Sequence, residues 1–349
     1  MWDVRGWKRL TVRDEPPLSV VREEFLSWLN EVPDPNRKDL EQRLKNKDDG
    51  PHFSARLEIF LHHYFLSSGW EVLSHPTLPN TQNHPDFQVS RDDTRIIVEA
   101  KSVLEQPDVV GQENLLRQLA DEISRRMKRT IIIESLSELP SGLPANRIRG
   151  EIEGHSGWQR DADVEAVEFQ VAGDHNGAPY TLNVIGIKSG GAHSPPAGVQ
   201  GTISPVRKLV IGQQLKEALT LKAGKYGALE GAFVIAVSCE TSFPAETRDE
   251  LAALFGDEVW NLGADRQVTQ SWKPNGLFTL SRQGRPRYER VSAIVIYRFK
   301  WLEDGHEHRT HMYHNPYARH PVQPELFPEV PQLVKVSDSQ MQWINGRPE

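Results

Sequence analysis

Two short segments carry side chains whose types and spacing could bind a divalent metal ion and activate water. The first is Pro85-Asp86, and the second, thirteen residues after Asp86, is Glu99-Ala100-Lys101. Alternate residues of a β-strand share a face, so Glu99 and Lys101 should point the same way, and a neighbouring strand could bring Asp86 beside them. Carboxylate oxygens are preferred ligands of Mg²⁺. The pattern therefore predicts a metal site with an ammonium group next to it.

The elements that must position these side chains form a predicted β-hairpin. Residues 86–90 and 95–103 have the composition of strands, and the polar segment 91–94 between them is typical of a turn. The second strand contains the apolar run 96–98, after which charged residues are unexpected in a buried strand. We therefore expect Glu99 and Lys101 to have a function other than core packing.

A third carboxylate, Glu58, lies on a predicted amphipathic helix at residues 53–66 that should end near Gly69. On a helical wheel Glu58 is about 20° from Phe65 and about 60° from Leu61, which places it on the apolar side. A buried carboxylate is costly unless it is paired, hydrogen-bonded or bound to a metal ion. Glu58 is therefore a candidate additional ligand.

These residues and elements resemble the PD-(D/E)xK nuclease superfamily, which has the restriction-endonuclease-like fold. Its pattern is a helix with an acidic residue, a strand, a strand that starts with Pro-Asp, a strand carrying Glu-x-Lys, then a helix and a strand. The corresponding features here are Glu58, a predicted strand at 70–74, Pro85-Asp86, Glu99-Ala100-Lys101, a predicted helix at 112–129 and a predicted strand at 130–134. The resemblance covers roughly residues 52–135, under a third of the chain.

The resemblance implies an Mg²⁺-dependent nuclease, with Mn²⁺ as a substitute, that hydrolyses phosphodiester bonds in nucleic acid, more often DNA than RNA. Asp86, Glu99 and the main-chain carbonyl of Ala100 would hold the ion, with Glu58 bound directly or through water. Lys101 would orient or deprotonate the attacking water. Bound metal polarises the phosphodiester and lowers the pKa of its water. Bacterial restriction, repair or phage defence is the setting that the resemblance implies.

Contacts to nucleic acid are expected from the helix at 112–129. Some family members place a Gln or a Tyr from the helix after Glu-x-Lys near the site, for which Gln112 and Gln118 are the candidates here. The basic residues of this helix that could meet phosphates are Arg117, Arg125, Arg126, Lys128 and Arg129. A second, weaker basic set consists of Lys208, Lys216, Lys222, Lys225, Arg285 and Arg287. A solvated basic helix face remains the alternative interpretation of the first set.

Composition restricts these interpretations further. The 48 acidic and 41 basic residues give a net charge of −7, so any binding of nucleic acid must use a local patch rather than bulk attraction. One cysteine, Cys239, allows neither an internal disulfide nor a finger-type zinc site and favours a reducing, cytoplasmic setting. The longest apolar run, at 232–237, is too short to span a membrane.

We predict an α/β protein with a restriction-endonuclease-like core, in which a mixed central sheet is flanked by helices. Residues 1–50 should form an N-terminal helical extension and residues 51–140 the nuclease core. Residues 141–349 are predicted as an α/β region that is either an accessory domain or an extension of the same sheet. The tail after Pro321 is Pro-rich and loosely patterned, and residues 188–204 read as a long loop.

Two other functions remain open on the sequence. A catalytically silent scaffold of the same fold could bind nucleic acid or a partner protein. A zinc hydrolase could use four histidines near the C-terminus, namely His306, His308, His311 and His314. On a strand, however, His306 and His308 share one face and His311 lies on the other. A homodimer would be the simplest route to cutting both strands of DNA, but the sequence carries no dimer signal.

Overall fold

A computed structural model of the chain describes residues 7, 10, 18–79, 81–104, 107–127, 129–136, 139–140, 142–160, 166–188, 207–227, 229–240, 245–262, 268–302, 305–337 and 340–348. The chain divides into two compact units. The first, called the main unit, comprises Met1–Leu104 and Ile211–Glu349, and the second, called the inserted unit, is Glu105–Val210.

Eight α-helices lie in the described residues. They are α1 (Leu18–Leu29), α2 (Asn36–Leu44), α3 (Asp49–Ser67), α4 (Pro107–Met127), α5 (Ala145–Glu153), α6 (Gly157–Arg160), α7 (Arg207–Ala223) and α8 (Thr247–Phe255). A short 3₁₀-helix follows at Pro324–Leu326. No helix in the described ranges is long and apolar enough to cross a membrane.

Thirteen β-strands accompany these helices in the same ranges. They are β1 (Glu71–Ser74), β2 (Phe87–Arg91), β3 (Thr94–Leu104), β4 (Arg129–Ser135), β5 (Ala166–His175), β6 (Ala178–Lys188), β7 (Ala232–Glu240), β8 (Glu258–Leu262), β9 (Val268–Trp272), β10 (Ala293–Leu302), β11 (Gly305–His314), β12 (Gln332–Ser337) and β13 (Gln340–Ile344).

The main unit is built on an eight-stranded mixed sheet in the order β1-β2-β3-β7-β10-β11-β12-β13. Strands β3, β7 and β10 run parallel, and antiparallel pairs lie on either side of them. One face packs against α1, α2 and α3, through residues such as Val98 and Ala236. The other face packs against α7 and α8, through residues such as Ile235 and Ile296. Because side chains alternate along each strand, one sheet supplies both apolar layers. The prediction of a mixed central sheet flanked by helices is confirmed.

The hairpin predicted to carry the metal site is present. Strands β2 and β3 pair antiparallel from Arg91↔Thr94 to Phe87↔Val98. Asp92 adopts φ 52° in the turn, a left-handed conformation that Asp tolerates better than most residues. The helix before the hairpin, α3, ends as predicted, because Gly69 takes φ 78° and stops it.

The compact units of the structure differ from the predicted domain boundaries in one important respect. The helix and strand expected to complete the core at 51–140 are α4 and β4, and both lie in the inserted unit. There β4 pairs with β6 in a separate three-stranded sheet, in the order β4-β6-β5. A short apolar strand is compatible with any sheet, so its sequence does not specify its partner. In the main unit, the next helix and strand after β3 are α7 and β7.

The two ends of the chain also differ from expectation. Helices α1 and α2 are part of the main core rather than an extension, because Phe25 and Leu44 are fully buried in it. The tail after Pro321 adds β12 and β13 to the edge of the sheet. Residues 211–349 therefore extend the sheet that begins with β1. The predicted loop at 188–204 lies outside the described residues, apart from Lys188 at the end of β6.

Candidate active site

Asp86 and the Glu99-Ala100-Lys101 segment meet where β2 ends beside β3. Asp86 directly precedes β2, and its Oδ2 accepts a hydrogen bond of 2.7 Å from the main-chain N–H of Ala100. Since the N–H and C=O of one strand residue point to the same side, the carbonyl of Ala100 also faces the side of β3 on which Asp86 lies. The hairpin thus directs a carboxylate and a main-chain carbonyl to one place.

Glu99 is completely buried and is surrounded by donors from the end of α7. Its Oε1 accepts hydrogen bonds from Lys222 and from Lys225, the latter at 2.7 Å. Its Oε2 accepts a hydrogen bond from the hydroxyl of Tyr226, and that hydroxyl also lies 3.1 Å from the main-chain oxygen of His84. Burial and the bond to Glu99 raise the pKa of the Tyr226 phenol. The hydroxyl therefore remains protonated and donates to Glu99.

Fewer hydrogen bonds and ion pairs stabilise the charge of Asp86 than stabilise that of Glu99. In the described part of the chain, its carboxylate accepts a single hydrogen bond, from Ala100. Burial raises the pKa of Asp86 well above its ordinary value, and the nearby carboxylates of Glu99 and Glu58 raise it further. Three acidic groups are thus close enough to repel one another, and a bound cation would relieve that repulsion.

Lys101 is half-buried on the same face of β3 as Glu99. Its ammonium group forms no ion pair with any residue that the structure describes, and the salt bridges of Glu99 are made by Lys222 and Lys225 instead. Burial lowers the pKa of Lys101, and the charge of Lys222 lowers it further. An unpaired lysine with a lowered pKa can donate a proton or a hydrogen bond to a reacting group more readily than an ordinary lysine.

Glu58 is buried, as predicted, but its carboxylate is already paired. Arg43 of α2 binds it through two hydrogen bonds of 2.7 and 2.8 Å, and Ser54 donates a third of 3.2 Å. The ion pair with Arg43 compensates the buried charge of Glu58, and that buried charge was the reason to expect a metal ion beside it. Glu58 acts on Asp86 through its charge, and direct ligation of a metal ion would require Arg43 to give up part of this pair.

The predicted nucleic-acid contacts from Gln112 to Arg126 all lie on α4. The helix belongs to the inserted unit. Gln118, Arg125 and Arg126 are exposed, and Arg126 pairs with acidic residues of its own unit. The side chains of Gln112 and Arg117 lie outside the described residues. Within the main unit, the helix that contacts Glu99 is α7, through Lys222.

The side chains that contact Glu99 come from the end of α7 and the turn after it. Lys222 and Lys225 belong to the weaker basic set of the sequence, whereas Tyr226 was not singled out. A usable signal exists in retrospect, because residues 208–225 read as a helix and residues 232–238 as a buried strand. This is a second helix and strand in the order that follows Glu-x-Lys. More than a hundred residues separate them from Glu99, so spacing alone could not have selected them.

The hydroxyl of Tyr226 should be worth a measurable amount of stability. We expect Tyr226→Phe to lower the free energy of unfolding by about 1.5–3 kcal/mol, since a buried carboxylate loses a donor. Urea denaturation of the variant and of the unsubstituted protein tests this, with Tyr317→Phe as a control at a residue outside the site. An unchanged unfolding midpoint in Tyr226→Phe would contradict the hydrogen bond to Glu99.

The C-terminal histidines divide between the two faces of β11, as strand alternation predicts. His306 and His308 lie on the face packed against α1 and approach Glu24. His311 lies on the other face, where it hydrogen-bonds Glu250 at 2.7 Å. His314, at the end of β11, forms a hydrogen bond with Gln332. The four histidines therefore do not form one metal site.

Comparisons with known proteins do not assign the chain to a family. Protein-family models, curated proteins and solved structures were each compared with it, and none matches.

Proposed function

We propose that the protein is a metal-dependent nuclease whose active site is formed by Asp86, Glu99 and Lys101. The observation that supports this best is the crowding of acidic groups at the end of β2. Burial and two neighbouring carboxylates disfavour the ionised form of Asp86, in a place that also offers a main-chain carbonyl. Such an arrangement is typical of a site for a hard divalent cation, which binds oxygen ligands.

The order of elements in the main unit agrees with this proposal once the inserted unit is set aside. Helix α3 with Glu58, strand β1, strand β2 after Pro85-Asp86, and strand β3 with Glu-x-Lys are followed by α7 and β7. We infer that residues 105–210 interrupt a restriction-endonuclease-like core between its third strand and its second helix. Surface connections tolerate such insertions at little thermodynamic cost.

The donor set fits Mg²⁺ or Mn²⁺. Asp86, the carbonyl of Ala100 and Glu99 would hold the ion. Glu99 would bind the ion while it also accepts hydrogen bonds from Lys222, Lys225 and Tyr226. A bound cation would polarise the phosphodiester and lower the pKa of a water molecule. Lys101 has no competing ion pair among the described residues and would orient that water or offset charge on the phosphate.

A basic cleft next to the site could hold the nucleic-acid backbone. It begins at Gly227, directly after Tyr226, and Arg290 donates a hydrogen bond to the main-chain oxygen of Tyr226. Arg287, Arg319 and His320 also line it. Tyr226 contacts Glu99 through its hydroxyl and Arg290 of the cleft through its main-chain oxygen, so this one residue connects the cleft to the active site. Local basic surfaces of this kind allow an acidic protein to bind phosphates.

Arg287 should contact phosphate most directly, because it is exposed and has no ion pair among the described residues, whereas Arg319 pairs with Glu289 of the same cleft. We expect Arg287→Ala to weaken binding of duplex DNA and to reduce the slope of log K against log salt by about 0.9. Fluorescence anisotropy at several salt concentrations measures both, in an Asp86→Asn background that prevents cleavage. Arg37→Ala, at an arginine of α2 whose side chain is 40% exposed, is the matched control. Equal slopes in both variants would place the substrate elsewhere.

The direct test of the proposed function is an assay of the full chain with linear, circular and single-stranded DNA and with RNA. Each substrate is incubated with Mg²⁺, Mn²⁺ or EDTA, and Asp86→Asn and Lys101→Ala are assayed in parallel. We expect metal-dependent cleavage that both substitutions abolish. Cleavage of the circular substrate would identify an endonuclease, and a requirement for free ends would identify an exonuclease.

The second candidate is a catalytically silent scaffold of the same architecture that binds nucleic acid or a partner protein. The full pairing of Glu99 with Lys222, Lys225 and Tyr226 favours it, because these groups can replace a cation. It predicts that calorimetric titration with Mn²⁺ gives no heat and that Asp86→Asn leaves nucleic-acid binding unchanged. Heat of binding that is lost in Asp86→Asn would exclude it.

A further inference from the structure

A second group of potential metal ligands lies on the opposite layer of the main unit from α7. Glu24 of α1 and His306 and His308 of β11 direct their side chains to one point. The Oε2 atom of Glu24 is 2.7 Å from Nε2 of His306 and 2.9 Å from Nε2 of His308. All three ligand atoms lie within 4.8 Å of one another. Glu24 is more than 280 positions from either histidine in sequence, so the fold, not local chain geometry, brings it to them.

The surroundings of the group hold the imidazoles in place. The ring of His308 packs against the rings of Phe25, Trp28 and Phe60, with centroids 5.8, 5.0 and 5.5 Å apart. The side chain of His306 is 10% exposed, that of His308 14% and that of Glu24 28%. A mostly apolar wall with a partial opening at the carboxylate could admit one water molecule beside the three side chains.

We propose that Glu24, His306 and His308 bind one Zn²⁺ ion, with water as the fourth ligand. Two imidazole nitrogens and one carboxylate oxygen form a ligand set typical of Zn²⁺, whereas Mg²⁺ prefers oxygen alone. Ligands about 2.0–2.1 Å from the ion at tetrahedral angles are about 3.3–3.4 Å apart. The two separations between Glu24 and the histidines therefore need to widen by about 0.4–0.7 Å, which small side-chain rotations supply.

The environment of His308 supports this assignment. Its other ring nitrogen, Nδ1, lies 2.8 Å from the hydroxyl of Tyr297. Ligating histidines usually engage an oxygen through the second ring nitrogen, which fixes the tautomer and the orientation of the ring. With Nε2 on the metal, Nδ1–H would donate to Tyr297. The ion would then connect α1 to the β10–β11 hairpin, so it should stabilise the fold. This proposal is independent of the nuclease proposal.

The test begins with the full chain stripped of metal by a chelator and dialysed. Zn²⁺ is titrated by calorimetry, and Co²⁺ is titrated separately by visible absorption, which reports nitrogen ligands and tetrahedral geometry. We expect one Zn²⁺ per chain in the Asp86→Asn background, where the proposed nuclease site is impaired. At an excess of 100-fold over the dissociation constant, the melting temperature should rise by roughly 5 °C.

Variants connect the binding to these residues. His306→Ala and His308→Ala should each lose the stoichiometric binding, and Tyr297→Phe should weaken it by about tenfold. The matched control is His63→Ala. Among the described residues, His63 of α3 hydrogen-bonds only with Glu31, which lies in the turn after α1, at 2.9 Å, so its loss should leave Zn²⁺ affinity unchanged.

The outcomes separate cleanly. Absence of Zn²⁺ binding or of a tetrahedral Co²⁺ spectrum in the unsubstituted protein overturns the proposal without reference to any variant. So does binding that survives in both folded His306→Ala and folded His308→Ala. Loss of nuclease activity in Asp86→Asn with retained Zn²⁺ binding would support both proposals, and Zn²⁺ binding without any nuclease activity would leave only this one standing.

Discussion

Replacing Asp86 with Asn should abolish metal-dependent cleavage of nucleic acid and, at the same time, raise the melting temperature of the metal-free protein. The rate should fall by about 10³-fold or more, the order expected when a group that stabilises developing charge is removed. The side-chain oxygen of Asn can still accept the hydrogen bond from Ala100, so the hairpin should remain folded. The charge that would hold a cation is lost.

The gain in stability has a separate physical cause. Asp86 is half-buried near Glu99 and Glu58, and its ionised form is disfavoured in the folded state. A neutral side chain removes this cost, and each kcal/mol recovered raises the melting temperature by about 2–4 °C. Mg²⁺ or Mn²⁺ should stabilise the unsubstituted protein and not the variant, because only the former binds the ion. Thermal scans with and without the cation measure both effects.

Lys101→Ala provides the complementary result. Its activity should fall by about 10²–10⁴-fold, the contribution expected of a general acid or base, while the cation still raises the melting temperature. The controls are Asp93→Asn, in the turn of the same hairpin, and Lys300→Ala, at an exposed position of β10. Cleavage that persists in Asp86→Asn, or a cation response that persists there, would show that the site is not the one described.

The largest expected loss of stability comes from Glu250→Gln. Glu250 of α8 is fully buried and accepts three hydrogen bonds of 2.7 Å, from Arg298, His311 and Tyr313. An amide has one oxygen, so at least one of these donors would face an NH₂ group. We expect the free energy of unfolding to fall by about 3 kcal/mol, the order for breaking a buried ion pair. Urea denaturation at pH 7 measures the change, with the exposed Glu329→Gln as control.

The same network predicts how the loss depends on pH. Burial raises the pKa of Glu250, but His311, Arg298 and Tyr313 outweigh burial, and the net shift is downward from 4.5. A folded-state pKa below the unfolded one gives stability that is present above about pH 4.5 and is lost as the pH falls through the folded-state pKa. The difference in free energy of unfolding between the unsubstituted protein and Glu250→Gln should therefore narrow as the pH falls below about 4.5. A constant difference down to pH 3 would contradict the network.

This network also bears on the zinc hydrolase considered from the sequence. His311 is hydrogen-bonded to Glu250, so substitution of His311 should lower the stability of the protein rather than its affinity for a metal ion. Only His306 and His308 remain together, and they acquire Glu24 as a neighbour. Alternation along a strand was sufficient to separate these histidines, but nothing in the sequence indicated the glutamate that joins two of them.

Local parts of the fold were predictable because their determinants are local. The end of α3 at Gly69 and the β2–β3 hairpin depend on residues a few positions apart. Asp86 and Ala100 meet across a tight hairpin whose turn chemistry and apolar pattern are both visible in the sequence. The mixed sheet flanked by helices followed from the same periodicities.

The assignment of elements to units was not predictable on the same basis. Strand β4 has the composition of a buried strand, and it satisfies that preference equally well beside β6 as it would beside β3. The choice between those partners depends on residues far along the chain. The tail after Pro321 was not predicted to contain strands, because the apolar patterns of β12 and β13 are weak. They form strands because β12 pairs with the edge of β11 and β13 pairs with β12.

The sequence by itself determined the hairpin with Asp86, Glu99 and Lys101, because backbone turn preferences and strand alternation act over a few residues. Only the tertiary structure decided that Tyr226 contacts Glu99, that Arg43 neutralises Glu58 and that Glu24 meets His306. Each of these contacts joins charged or polar groups from distant segments. Their formation depends on which helices and strands share a core, and that choice minimises exposed apolar surface and uncompensated charge over the whole unit.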